Sequence, residues 1–91
     1  MRKLLFLHPN DNIAVSLADF NAGEKLEEDG LKFTLLNPIP RGHKIATVNI
    51  AKGDPIIKYG ERMGHATSDI KIGEHVHTHN VLGDRLSTEK N

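Results

Sequence analysis

The stretch "GEHVHTHN" at residues 73–80 sets His75, His77 and His79 at every second position, with Val76 and Thr78 between them. In an extended strand alternate side chains share a face, which spaces the three residues about 6 to 7 Å apart at their Cα atoms. Such a face has three uses. Neighbouring imidazoles chelate a divalent transition metal, a single imidazole serves as an acid–base group near neutral pH, or the row is simply the wet side of an antiparallel strand. Spacing alone leaves all three open.

Two further stretches carry polar chemistry. "RGHKIA" at 41–46 puts His43 and Lys44 directly after a turn glycine, and a cation beside an imidazole suits an anionic group such as a carboxylate as well as it suits plain surface. "LHPNDN" at 7–12 ends a strand in a polar turn where Asp11 and Asn12 can close an Asx-type hydrogen bond; alternatively His8, Asp11 or Asn12 faces a polar ligand. His65, in "MGHATSDI", stands alone in a turn, and Thr67 and Ser68 beside it read as local hydrogen-bonding residues.

The elements that must hold these groups are short and β-prone. One pattern recurs, in "DFNAGE" at 19–24, "PIPRGH" at 38–43, "NIAKGD" at 49–54 and "DIKIGE" at 69–74: a bulky apolar residue, two variable residues, Gly, then a polar residue. Each Gly supplies a positive φ at a turn or bulge and leads into a strand. The spacing between the glycines is irregular, which argues against a solenoid. Strands are expected over 2–8, 13–18, 25–28, 31–36, 44–48, 55–59 and 74–79, with an Asp-Gly hairpin inside "LEEDGLKF". Pro55 suits a strand start, where its missing N–H is tolerated. No ten residues keep a 3.6-residue apolar stripe free of Gly and Pro, so helix should be minor. "GERMGHATSDI" reads as a turn or one short helical piece. The fold class is therefore all-β, as one domain over 1–80 with a polar tail or linker over 81–91.

Ninety-one residues suffice for one domain with a thin core, since a chain this short buries only roughly 60 to 65% of its unfolded surface. A deep pocket enclosed by this chain alone is not expected. Twelve basic residues against twelve acidic ones argue against a general electrostatic grip on nucleic acid or anionic membrane. The absence of cysteine removes disulfides and a thiolate nucleophile. The apolar run "LLFL" stops at His8-Pro9, far short of a signal core or a membrane span, and a cytoplasmic location is the default expectation.

Taken together and in order, "HPNDNIAVSL", "IPRGHKIA", "AKGDPIIKYGERMGHAT" and "IKIGEHVHTHN" resemble the N-terminal domain of the altronate and galactarate dehydratases. This domain type, the SAF domain, is shared with antifreeze proteins and sialic acid synthase. The resemblance covers about residues 5–80, and it is most specific at "GHKIA", "PIIKYG" and "VHTHN". It implies a β-clip, a compact arrangement of short strands and crossed hairpins. It also implies a hydro-lyase that removes water from a hexonate or hexarate to give a 2-keto-3-deoxy acid, with divalent iron or manganese held mainly by a larger domain or subunit.

That chemistry needs stabilisation of an enediolate while a base takes the weakly acidic proton α to the carboxylate, and a second group to protonate the departing hydroxyl. Carried over by position, the resemblance nominates His43, His77 and His79 as catalytic groups. It nominates Lys44, Asp11, Asn12, Thr78 and Asn80 as substrate-binding groups, and His77 with His79 as metal ligands. At His75 family members more often carry a bulky apolar residue, so His75 is set aside. The implied partners are the large hydro-lyase domain or subunit and a sugar acid, with a homo-oligomer also compatible. Two alternatives stand beside this reading: a free-standing SAF-type module binding sugar or sugar acid, and the small subunit of a sulfolactate sulfo-lyase.

Overall fold

The computed structural model describes residues 2–83, and it is all strand. The elements are β1 (Leu4–Leu5), β2 (Ile13–Ser16), β3 (Lys25–Glu28), β4 (Leu31–Thr34), β5 (Lys44–Ala46), β6 (Pro55–Lys58), β7 (Glu61–Ala66), β8 (His75–Val76) and β9 (Val81–Gly83). They form three antiparallel groups: a four-stranded sheet in the order β1-β2-β5-β8, the hairpin β3-β4, and a three-stranded sheet in the order β6-β7-β9. Among the described residues no helix is long and apolar enough to cross a membrane.

The glycine pattern is the organising device. Asn21, Pro40, Ala51 and Lys71 each accept, three residues on, the N–H of Glu24, His43, Asp54 and Glu74. Gly23, Gly42, Gly53 and Gly73 sit third in those turns at φ of 86 to 90°, the left-handed conformation that a type II turn demands there. The unit extends further back than the glycine motif. Each glycine N–H donates to a buried residue seven positions before the glycine of another unit: Gly23 to Leu35, Gly42 to Ser16, Gly53 to Ala66 and Gly73 to Ala46. The units over 16–24 and 35–43 thus close one another's turns, and those over 46–54 and 66–74 do the same. Antiparallel bridges between Phe20 and Ile39 and between Ile50 and Ile70 mark the centres of the two couples.

Each couple has its own core. One gathers Leu4, Ala14, Phe20, Leu26, Phe33, Leu35, Ile39 and Ile45; the other gathers Ile13, Ala46, Ile50, Ile56, Ala66, Ile70 and Val76. The wall between them is the pair β2-β5. Its register sets Ala14 opposite Ile45, facing the first core, and Ile13 opposite Ala46, facing the second. Neighbouring residues on a strand point to opposite faces, so two adjacent positions serve two cores.

Two-residue hairpins join β3 to β4 and β6 to β7. Asp29-Gly30 has φ of 53° and 81°, the double positive φ of the expected Asp-Gly turn. Tyr59-Gly60 repeats it at 58° and 74°, although Tyr is an unusual residue there. Asp11 explains its presence: the carboxylate accepts the N–H of Tyr59 at 3.1 Å and of Gly60 at 2.7 Å, the two donors that the hairpin ladder leaves unused. Three sequence expectations need correction. "GERMGHATSDI" holds the hairpin residue Gly60 and then β7, not a helical piece; at Gly64 the paired strand β9 lies close, since a Cβ there would lie 2.3 Å from the Leu82 carbonyl oxygen. The strand expected over 74–79 stops at Val76, and residues 77–80 turn. Val81–Gly83, assigned to the tail, instead pairs with β7 as β9; the rest of that expected tail, 84–91, lies outside the described residues.

Candidate functional site

The wall sheet ends in a cluster of imidazoles drawn from both couples. His43 Nδ1 lies 2.8 Å from His75 Nε2, a hydrogen bond between rings. The ring of His77 stacks on His43 at 4.4 Å between centroids and on His75 at 5.5 Å; His79 is tilted against His75 at 5.3 Å. One ring nitrogen from each of His43, His75 and His77 lies within 4.8 Å of the others. His43 and His75 are half-buried, while His77 and His79 are exposed.

Departures from the repeated unit deliver these rings. The position after the turn glycine is acidic in three units, and there Glu24 and Glu74 fold back to accept the N–H of Asn21 and Lys71 in their own turns. In the second unit that position is His43, whose ring is directed to His75 instead. Its backbone is held by buried Ser16, whose N–H donates to the His43 carbonyl at 2.8 Å and whose hydroxyl lies 2.8 and 3.0 Å from the carbonyls of Pro40 and His43. A second departure fixes His75. Asp19, Asn49 and Asp69 each cap a turn of the partner unit through the N–H of Arg41, Ile72 and Lys52 respectively. The equivalent place in the second unit is Pro38, which has no side-chain acceptor. The amide has moved one residue earlier, to Asn37, whose Oδ1 accepts the His75 N–H at 2.9 Å.

Asn80 holds the turn that carries His77 and His79. It is buried, its Oδ1 accepts the His77 N–H at 2.9 Å, and its Nδ2 donates to the His75 carbonyl at 2.8 Å. The proximity of the rings has an electrostatic consequence. His75 is pushed below the ordinary imidazole range, first by burial and then by the neighbouring His43, His79, His77 and Lys44. His77 is lowered too, first by lost solvation and then by His43, Lys44 and His79. Crowded imidazoles hold protons poorly and therefore keep free lone pairs, the form that binds a metal or acts as a base.

Beside the cluster runs a cleft of about 520 Å³ lined by Ile13, Lys44, Ile56, Lys58, Met63, Val76, His77, Thr78, Val81, Leu82 and Gly83. Lys44 is depressed by burial first and by the ammonium of Lys58 second. Two cations therefore share an apolar-floored cleft whose lining holds no carboxylate.

The residues nominated from sequence divide accordingly. His43, His77 and His79 come together, with Lys44 and Thr78 along the adjoining cleft. Asn80 is an internal brace. Asp11 and Asn12 stand elsewhere: Asp11 holds the β6-β7 turn, and Asn12 accepts the Ile57 N–H at 2.8 Å and donates to the Pro55 carbonyl at 2.9 Å, bracketing the register shift of β6. His75, set aside on resemblance, lies at the centre of the cluster, and three ring nitrogens close enough together to hold a metal come from His43, His75 and His77. Asn37 and Lys58 carried no signal in a linear reading, although the break in the repeat at Asn37-Pro38 was visible.

Residues 2–84 match the family described as the altronate/galactarate dehydratase SAF domain. The chain is 44% identical to the altronate dehydratase of Bacillus subtilis (strain 168) over 89% of its own length and 16% of that enzyme. It is 47% identical to the altronate dehydratase of Escherichia coli (strain K12) over 82% of its length and 15% of that enzyme. It is also 41% identical to the (2R)-sulfolactate sulfo-lyase subunit alpha of Paracoccus pantotrophus over 65% of its length and 88% of that subunit. The chain thus spans about a sixth of the altronate dehydratases that it matches and most of the small sulfo-lyase subunit.

Proposed function

The chain belongs to the altronate/galactarate dehydratase SAF domain family, and from that premise we propose that it is the small domain or subunit of a cytoplasmic sugar-acid hydro-lyase. The reaction is elimination of water from a hexonate or hexarate to give a 2-keto-3-deoxy acid, completed by a large catalytic domain or subunit. The observation that carries this reading is the hydrogen-bonded, stacked set of His43, His75 and His77 beside Lys44. A carboxylate meets the ammonium of Lys44, and an unprotonated imidazole at the exposed rim, His77, takes or relays a proton. The half-buried pair His43 and His75 orients that rim, since each nitrogen committed between them fixes the tautomer of both rings.

The donor set fits a divalent transition metal. Three imidazole nitrogens without a carboxylate would suit iron better than manganese, whose preference is for oxygen. When bound by His43, His75 and His77, such an ion supplies Lewis-acid stabilisation of the enediolate charge.

The test is co-expression with the large hydro-lyase subunit of the same genome, followed by a dehydration assay over hexonates and hexarates. The expected outcome is turnover by the complex and none by either part alone. A large partner that co-purifies but is fully active without this chain would contradict the reading. A second reading rests on similarity: the chain is 41% identical to the sulfo-lyase subunit alpha over 88% of that subunit. Sulfite release from (2R)-sulfolactate, measured in the same panel, separates the two.

A further inference from the structure

The cleft beside the imidazole cluster combines features that a small free-standing domain has no use for. Its floor is Ile13, Ile56 and Val76, all at 3% exposure or less, while Met63 and Leu82 stand at its rim 49% and 41% exposed. Met63 and Leu82, exposed above that buried floor, give apolar surface bordered by polar groups, as interaction sites have, and here the polar groups are Lys44, Lys58, His77 and Thr78. None of the lining residues is acidic. His77 belongs to both the cleft and the imidazole cluster, so whatever fills the cleft also closes over one side of the cluster.

Resting on the functional reading above, we propose that this cleft is the docking surface for the large hydro-lyase domain or subunit, which inserts a segment of apolar side chains flanked by at least one carboxylate. Three observations favour that occupant. The altronate dehydratases matched carry more than four-fifths of their length outside this domain, so a body several times its size must lie against it. The cluster is open to solvent at His77 and His79 and cannot by itself exclude water from a reacting sugar acid. The apolar floor is a poor match for a polyol, whose hydroxyls would be left unpaired there, and a good match for protein side chains. Lys58, unmatched by any acid in the lining, supplies steering and register.

The test uses the full chain and the large hydro-lyase subunit of the same genome as the probe. The double variant Met63→Glu/Leu82→Glu is expected to weaken association by about 30-fold or more, since two carboxylates would be buried where the partner's apolar segment packs. Val48→Glu, at 48% exposure outside the cleft, is expected to leave association unchanged. Lys58→Glu is expected to slow association and flatten its salt dependence. In the wild-type chain, the methyl resonances of Met63 and Leu82 should shift on adding the large subunit while those of Val48 stay, a readout independent of how the variants fold. Unchanged association of the double variant with unmoved Met63 and Leu82 methyls overturns the inference, as does a loss confined to Val48→Glu. A wild-type homodimer broken by the double variant, with no response of these methyls to the large subunit, assigns the cleft to a second copy and equally overturns it. If the wild-type chain binds no large subunit at all, the functional reading fails, and the docking inference fails with it.

Discussion

His75 illustrates how much a single side chain takes from its surroundings. Burial, three neighbouring imidazoles and Lys44 lower its proton affinity, and lost solvation, two imidazoles and Lys44 lower that of His77, so the unfolded chain, with ordinary imidazoles, binds protons more readily than the folded one. Stability is therefore full above about pH 6.5 and declines as the pH falls towards the lowered folded midpoints. Proton NMR titration of the ring C–H signals should show midpoints for His75 and His77 below that of a reference imidazole. The urea midpoint should fall from pH 7.5 to pH 5.5, and His75→Ala should lessen the fall. Asn37→Ala removes the acceptor of the His75 N–H and should cost about 0.5 to 1.5 kcal/mol. Beyond that, it should weaken binding of Ni²⁺ as a probe by the cluster. Asn49→Ala removes the comparable cap on Ile72 and should leave Ni²⁺ affinity intact. His43, His77 and His79 were legible as polar residues after a turn glycine and in a histidine-rich stretch, but their partnership was not. Nothing in a linear sequence tells that residues 32 apart will share a hydrogen bond. The resemblance gave no place to His75, because it carries over only what matches by position, whereas the ring's contacts with His43, His77 and His79 are made by folding.

At the scale of elements, the same glycine turn is built in two different surroundings. Gly53 and Gly73 have φ of 90° and 89°, but a Cβ on Gly53 meets nothing within 4 Å, while one on Gly73 would lie 2.2 Å from the Thr34 carbonyl oxygen. Gly53→Ala should cost about 1 to 2 kcal/mol, the left-handed penalty alone. Gly73→Ala should cost more, because backbone must move as well, and chemical denaturation of the two variants measures the difference. The turns were readable from sequence since positive φ selects for glycine. β7 was not, because Gly60 and Gly64 look alike on paper yet do unlike work, one at a hairpin tip and one close against its paired strand β9. The Asp11 carboxylate and Asn12 amide accept N–H groups of the hairpin over 55–60, and contacts 45 or more residues distant leave no local trace.

For the whole molecule, two thin cores and an open cluster imply dependence on a partner. The isolated chain, supplied with Fe²⁺ or Mn²⁺, should show no dehydration of hexonates or hexarates, and addition of the large subunit should restore it; robust turnover by the chain alone would contradict this. The shared wall β2-β5 carries a further consequence, for the lengths of chain that the fold tolerates. Ile45 faces one core and Ala46 the other, so inserting one residue in β5 would turn each side chain beyond it to the wrong side. Both cores would lose their lining at once, and His43 would be carried out of register with His75. An insertion at the Asp29-Gly30 tip, by contrast, adds length where both residues are exposed and crosses neither core. Scanning single-residue insertions through an expression library should therefore recover many at 29–30 and none across 13–14 or 45–46. The pair of strands acts as a fixed reading frame for the chain on either side of it.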